Sequence, residues 1–141
     1  MAITFLFSLF FTLALAQTDH EKYTYFEFDA QMEMWGYTWE SHNVLTEDGW
    51  HLVLFHITGN QDGPFEFDNS NGGVGNFPIL FQHEEFSDAE TFLRKSEIAR
   101  PWILDLSAAG YDVWLANSRG TKYSFMSADQ EKDEAEMWTF T

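Results

Sequence analysis

The sequence has no cysteine and very few basic residues. Without cysteine, neither a disulfide framework nor a thiolate zinc site can form. Seven Lys and Arg stand against 23 Asp and Glu, which gives a formal net charge of -16, and Lys22 is the only basic residue between Gln17 and Leu93. Such a chain repels the phosphates of nucleic acid and an anionic membrane surface, so we expect no nucleic-acid partner.

Long apolar runs are absent after the first sixteen residues. Residues 1–16 carry no charged side chain and end in Ala14-Leu15-Ala16, the small-residue pattern of a signal-peptide cleavage site. The run is shorter than the ~20 residues that a membrane-spanning helix needs. The sequence predicts a signal peptide over 1–16, a secretory destination and a mature chain without a transmembrane segment. An uncleaved anchor is the alternative, because the segment lacks a Lys or Arg near its start.

Apolar and aromatic residues are abundant in the chain as a whole. The 141 residues are 45% hydrophobic and include 15 Phe and 6 Trp, which is enough apolar surface for one compact domain. Residues 17–33 mix aromatic and acidic side chains without a decisive period, and we assign them no element.

A hairpin is predicted around Asp48-Gly49. Residues 43–47 and 50–57 resemble strands, and Asp-Gly is a favoured two-residue hairpin turn. Alternating positions of the second strand are apolar on both faces, which favours a strand that is covered on both sides.

Residues 59–76 are rich in Gly, Asn and Asp and indicate a loop. EF-hand spacing would place Asp68 first and Gly73 sixth, but Ile79 then occupies the twelfth position, where a bidentate Glu is required. A plain loop is favoured over a calcium site.

The second half of the chain predicts strand, helix and strand. Residues 77–81 form a short apolar run that suits a buried strand, and residues 111–116 suit another. Ser87 and Glu90 have capping-box spacing for a short helix through residue 93. A longer helix is predicted from Pro101, with Trp102, Leu106 and Ala109 on one face and Gly110 as its cap. This order predicts a right-handed crossover and a parallel sheet, hence an α/β fold approached through an antiparallel hairpin.

Residues 116–120, Ala-Asn-Ser-Arg-Gly, nearly fit the G-x-S-x-G nucleophile elbow of serine hydrolases. In that fold the triad histidine follows the serine along the chain. All five histidines, the last of them His83, precede Ser118. Ser118 is therefore not expected to be a nucleophile.

Several blocks resemble the N-terminal part of the acid lipases, the α/β-hydrolase family of lysosomal acid lipase and gastric lipase. They are GYTWESHNV at 36–44, TEDGW at 46–50, QH at 82–83 and above all GYDVWLANSRG at 110–120. The resemblance covers residues 34–141 and implies an incomplete α/β-hydrolase fold. It also implies that the catalytic Ser, acid and His lie beyond residue 141, so that this chain holds none of the triad and behaves as a fragment that is inactive alone.

The resemblance places one catalytic element inside the chain, the oxyanion loop after a sheet strand. His83 falls on the family's His, Glu84 on its Gly and Glu85 on the residue whose backbone N–H binds the oxyanion. Both glutamates depart from the family pattern. A carboxylate near a forming oxyanion opposes it, and Glu84 lacks the positive-φ freedom of glycine. Asn117, Arg119 and Gly120 match a strand-end loop, for which we expect a structural role.

Two functions follow as expectations. The first is an extracellular or lysosomal lipase that hydrolyses esters of neutral lipids, triacylglycerol or steryl ester, without a cofactor. The second is a non-catalytic, secreted, acidic lipid-binding or decoy domain. Metal ligation by His83, Glu84 and Glu85 is disfavoured because Ser87 occupies the i+4 position. His51 and His56 are five apart on a strand and point to opposite faces, so we expect no metal site.

Overall fold

A computed structural model of the chain describes residues 26–67, 78–94, 99–127 and 134–139. The predicted signal peptide at 1–16 and residues 68–76 of the predicted loop, where the calcium pattern begins, lie outside these residues. In the part of the chain that is described, the helices are too short or too polar to cross a membrane.

The described fold consists of one sheet with helices packed against it. The strands are β1 (Tyr37–Leu45), β2 (His51–Asn60), β3 (Gly63–Pro64), β4 (Pro78–Gln82) and β5 (Asp112–Ala116), and the α-helices are α1 (Phe26–Trp35), α2 (Trp102–Ala108) and α3 (Glu134–Met137). A 3-10 helix covers Ala89–Phe92. The strand order is β1-β2-β5-β4, with β3 paired to β2.

The sheet is mixed. β4 and β5 are parallel, as the strand-helix-strand pattern predicts, whereas β5 pairs antiparallel to β2 and β2 antiparallel to β1. The α/β class with an antiparallel hairpin at one side therefore describes the fold. The right-handedness of the crossover stays a prediction.

The β1-β2 hairpin has a longer turn than the sequence predicts. Thr46 N–H donates to the Trp50 carbonyl and Gly49 N–H to the Thr46 carbonyl, both at 2.9 Å, and Gly49 has a φ of 83°. This is a three-residue loop, in which a tight turn is followed by a residue in the left-handed conformation. Only glycine adopts that conformation without strain. The predicted two-residue Asp48-Gly49 turn is wrong, and the register shifts by one residue.

β2 is fully buried on one face only. Val53, Phe55 and Ile57 are buried, whereas the alternating residues, including Leu52 and Leu54, are half-buried. The prediction that both faces are covered is therefore too strong. The fully buried face forms the core with α1, α2 and the 3-10 helix. Its largest members are Phe28, Met32, Phe55, Ile57, Ile103, Leu104 and Leu115.

Helix α1 begins in residues 17–33, to which we assigned no element, and ends at Trp35. Phe28 and Met32, four residues apart, are fully buried, and side chains at this spacing share one face of a helix. Met34 is 66% exposed, so apolar residues occur on both sides of the helix and hide its period in the sequence.

Helix α2 forms where it is predicted but buries a different face. Ile103, Leu104 and Ser107 are buried, whereas Trp102 is 43% exposed and Ala109 is exposed. Pro101 is the N-cap and not a first-turn residue, and Gly110 ends the helix with a φ of 93°.

The short helix near residue 90 is a 3-10 helix, and Asp88 caps it. The Asp88 carboxylate accepts the Glu90 N–H at 2.9 Å, so the predicted cap at Ser87 is wrong by one residue. Aspartate competes well with serine for this role because its charge also favours a helix N-terminus.

Candidate functional site

The carboxyl ends of β4 and β5 lie side by side. Gln82 and Ala116 are partners in the parallel register, so His83 and Asn117 leave the sheet together. In α/β sheets, ligand sites form at the carboxyl ends of the parallel strands. The sheet thus brings the predicted oxyanion loop next to the Asn117–Gly120 loop.

His83 joins the two loops through its ring. It is 9% exposed; its Nε2 accepts the Ser118 N–H at 3.0 Å and its Nδ1 lies 2.8 Å from the Glu84 carbonyl oxygen. A carbonyl only accepts, so the proton is assigned to Nδ1 and the ring is neutral in this arrangement. Both ring nitrogens are used by the backbone, which further disfavours the metal interpretation of residues 83–85.

The Ser118 hydroxyl faces an amide and not a base. Gln82 Nε2 donates to Ser118 Oγ at 2.7 Å, while His83 contacts only the backbone N–H of Ser118. A serine nucleophile needs its Oγ proton to face a general base. This geometry agrees with the chain-order argument against a nucleophile at Ser118.

Glu84 and Glu85 are exposed, and the strained backbone position lies after them. Among the described non-glycine residues, only Phe86 has a positive φ, 58°, and its side chain is fully exposed. The left-handed conformation that the family pattern suggests at Glu84 therefore occurs two residues later. A bulky residue held there is unusual and marks the loop as locally strained.

Asn117 is the buried polar centre of the strand-end loop. It is 1% exposed; its Oδ1 accepts the Ala89 N–H at 3.0 Å and its Nδ2 donates to the Val53 carbonyl at 3.1 Å. Its own carbonyl accepts the Ser124 hydroxyl at 2.9 Å. One side chain therefore connects β2, the 3-10 helix and the loop.

Replacing Asn117 with alanine is expected to lower the free energy of unfolding by about 2 kcal/mol, because it leaves the buried Ala89 N–H without its acceptor. Urea unfolding followed by circular dichroism measures the change. Asn43 is exposed on β1, and Asn43→Ala is the matched control, expected within about 0.5 kcal/mol of the unmodified chain. Equal losses in both variants would refute a special role for Asn117.

Arg119 contacts the hairpin turn, and Gly120 lies against Trp138, the residue that follows α3. Arg119 forms an ion pair with Asp48, and its guanidinium lies 5.1 Å from the centre of the Trp50 ring. Gly120 has a φ of 86°, and a Cβ added there would collide with the Trp138 ring. Only glycine fits both constraints.

An ion cluster surrounds Glu90 of the 3-10 helix, and the sequence patterns described above do not predict it. The Glu90 side chain is 3% exposed and accepts Lys122 Nζ at 2.7 Å, Arg94 Nη2 at 3.1 Å and the Tyr123 hydroxyl. Lys122 also pairs with Glu27 of α1. Burial raises the pKa of Glu90, but these three hydrogen bonds outweigh burial and hold the pKa below its usual 4.5. Glu90 thus anchors the 3-10 helix as a charged carboxylate.

The sequence of this chain is similar to those of known proteins. Residues 29–96 match a family described as the partial alpha/beta-hydrolase lipase region. Gastric triacylglycerol lipase of Homo sapiens is 35% identical over 108 residues, and that of Rattus norvegicus is 32% identical over 108; each match covers 76% of this chain and 25% of the relative. Tear acid lipase-like protein of Mesocricetus auratus is 29% identical over 127 residues, which cover 90% of this chain and 30% of the relative.

The chain spans about a quarter of the length of the first two of these relatives. The specific blocks noted in the sequence form the hairpin and the two loops at the carboxyl ends of β4 and β5. Over residues 29–96 the chain carries the partial alpha/beta-hydrolase lipase region, and it is homologous to the acid lipases, among them the gastric triacylglycerol lipases.

Proposed function

We propose that this chain is the N-terminal part of a carboxylic ester hydrolase that acts on neutral lipids, triacylglycerol or steryl ester, in the secretory pathway, outside the cell or in the lysosome. The proposal rests on one observation: the predicted oxyanion loop at His83 and the Asn117–Gly120 loop lie side by side at the carboxyl ends of β4 and β5. The relatives supply the substrate class, since several are named as triacylglycerol lipases.

In this proposal the loop after β4 stabilises negative charge. When a nucleophile attacks an ester carbonyl, the carbonyl oxygen becomes an oxyanion, and a fixed backbone N–H lowers the energy of that state. Glu85 is the candidate donor. The neutral His83 ring holds the loop to Ser118, so His83 positions the donor and does not transfer a proton.

The catalytic Ser, acid and His are proposed to lie outside this chain. The use of both His83 nitrogens by the backbone and the contact between Gln82 and the Ser118 hydroxyl support this assignment. The chain by itself is then a scaffold with one oxyanion donor, and acyl transfer needs the nucleophile and base as well.

A lipid-binding domain without catalysis is the second candidate, and the exposed Phe86 favours it. A fully exposed aromatic ring beside the site is suited to contact lipid. Both functions would use the loop after β4, so only a measurement of ester hydrolysis distinguishes them.

The test joins residues 17–141, the predicted mature chain with all of α1, to the remaining C-terminal part of human gastric triacylglycerol lipase. We expect this chimera to hydrolyse p-nitrophenyl butyrate above background and the chain alone not to do so. Replacing the G-x-S-x-G serine of the added part with alanine should abolish the activity, whereas Ser118→Ala should leave it largely intact. Turnover by the chain alone that disappears in Ser118→Ala would overturn the proposal, and an inactive, folded chimera that binds lipid vesicles would favour the binding domain.

A further inference from the structure

Three metal-ligating side chains meet on the hairpin, away from the carboxyl ends of β4 and β5. Glu40 and His56 are directly opposed in the β1-β2 register, and His42 lies two residues along β1 on the same face. One ligand atom from each lies within 4.8 Å of the other two. We propose that Glu40, His42 and His56 form a binding site for a divalent transition-metal ion of the zinc class.

The distances are close to those of a coordinated ion. Zinc binds imidazole nitrogen and carboxylate oxygen at about 2.0–2.2 Å in tetrahedral geometry, so neighbouring ligand atoms are about 3.4 Å apart. His42 Nε2 and Glu40 Oε2 are already 3.6 Å apart. The Glu40 side chain is 65% exposed and therefore has room to complete the approach.

His42 supplies a ring nitrogen that the rest of the fold does not use. Although 41% of the side chain is exposed, Nε2 itself is buried, and within the described residues it has no hydrogen-bond partner. A buried polar atom left in this state costs about 1–3 kcal/mol. A metal ion at this position would satisfy the nitrogen and neutralise Glu40 at the same time.

His56 has the support that metal-ligating histidines commonly have. One ring nitrogen, Nε2, lies 2.8 Å from the Asp112 carboxylate, and this carboxylate also accepts the Trp114 indole N–H at 2.9 Å. The Trp114 ring stacks on His56 with centres 4.1 Å apart and contacts His42 at 4.8 Å. A carboxylate behind the imidazole fixes its orientation, and an apolar wall limits access of water.

Ligand chemistry selects the class of ion. Two imidazoles and one carboxylate suit zinc, copper or nickel, whereas calcium and magnesium prefer sites made of oxygen alone. The net charge of -16 attracts any cation to the surface but does not discriminate among cations. The bound ion would connect β1 to β2 and would keep a fourth position for water. This inference does not depend on the proposed hydrolase function.

Isothermal titration of the full chain with zinc, after removal of metal by a chelator, tests the site. We expect one zinc ion to bind tightly to each chain, and excess calcium or magnesium should not displace it. His42→Gln should weaken zinc binding by about tenfold or more, as loss of a ligand does, and so should His56→Gln. Co²⁺ titrated in place of zinc should give visible absorption typical of a nitrogen-containing tetrahedral site.

His51→Gln is the matched control, because His51 lies on the same strand but on the opposite face. It should bind zinc like the unmodified chain. His42→Gln is the decisive variant, since the partly exposed His42 can be replaced without removing the His56–Asp112 contact; circular dichroism verifies its fold. Absence of tight zinc binding, or equal affinity in His42→Gln and His51→Gln, would overturn the proposal and leave only diffuse attraction by the acidic surface.

Discussion

Replacing the buried Glu90 with alanine is expected to lower the free energy of unfolding by about 3 kcal/mol. Removing one partner of a buried ion pair commonly costs about 3–5 kcal/mol, because the remaining charges lose their compensation. Here the cost falls at the low end, since Arg94 and Lys122 are 58% and 39% exposed and can rehydrate. The Tyr123 hydroxyl is buried and would lose its acceptor.

Glu90→Gln separates charge from shape. Glutamine keeps the volume of the side chain and one acceptor oxygen. We therefore expect Glu90→Gln to lower the free energy of unfolding by about half as much as Glu90→Ala. Urea unfolding at neutral pH measures both variants. Glu66 is exposed, and Glu66→Ala serves as the control, expected within about 0.5 kcal/mol of the unmodified chain.

The contribution of Glu90 should depend on pH with a defined sign. Its pKa is lower in the folded chain than the 4.5 expected after unfolding, so folding favours the charged form. The stabilisation is then complete above about pH 5 and is lost as pH falls through the folded pKa. The stability gap between the unmodified chain and Glu90→Gln should therefore shrink in acid. A gap that stays constant from neutral pH to about pH 3 would show that the carboxylate charge is not its cause.

The hairpin shows how much of the proposed metal site depends on one residue of register. A two-residue turn at Asp48-Gly49 would place His56 opposite Ser41, on the face away from Glu40 and His42. The observed three-residue loop places His56 opposite Glu40. A slip of one residue moves every side chain of a strand to the other face, so the three ligands could not be grouped from the sequence. Glu40 and His42 also lie outside residues 43–47, where the sequence predicts the first strand, whereas β1 begins at Tyr37.

Other features were predictable because their signals are local. The strand runs at β4 and β5 and the helix between them follow from apolar runs, Pro101 and Gly110, and the structure has all three elements. Most of the Glu90 cluster was not predictable, since Glu27, Lys122 and Tyr123 come from distant parts of the chain and only Arg94 is local to Glu90. Sequence patterns report which face is apolar, and they do not report which charged groups a fold brings together.

In the chimera described above, replacing Glu84 with glycine and Glu85 with leucine is expected to raise kcat by up to ~10²-fold, the effect of one oxyanion-hole donor. Glycine restores backbone freedom where the family pattern has it, and leucine removes the charge next to the donor N–H. Steady-state hydrolysis of p-nitrophenyl butyrate measures the change.

Replacing both Glu84 and Glu85 with glutamine isolates the electrostatic part of this effect, because the side chains keep their size and the backbone keeps its preferences. Since both glutamates are exposed, water and salt screen their charges, and we expect the glutamine pair to recover only part of the gain. Raising the salt concentration should then increase kcat of the unmodified chimera and leave the glutamine pair nearly unchanged. Glu66→Gln is the control for net charge. If the combined change of Glu84 to glycine and Glu85 to leucine leaves kcat unaltered, the loop after β4 is not the oxyanion donor, and the role proposed for Glu85 is wrong.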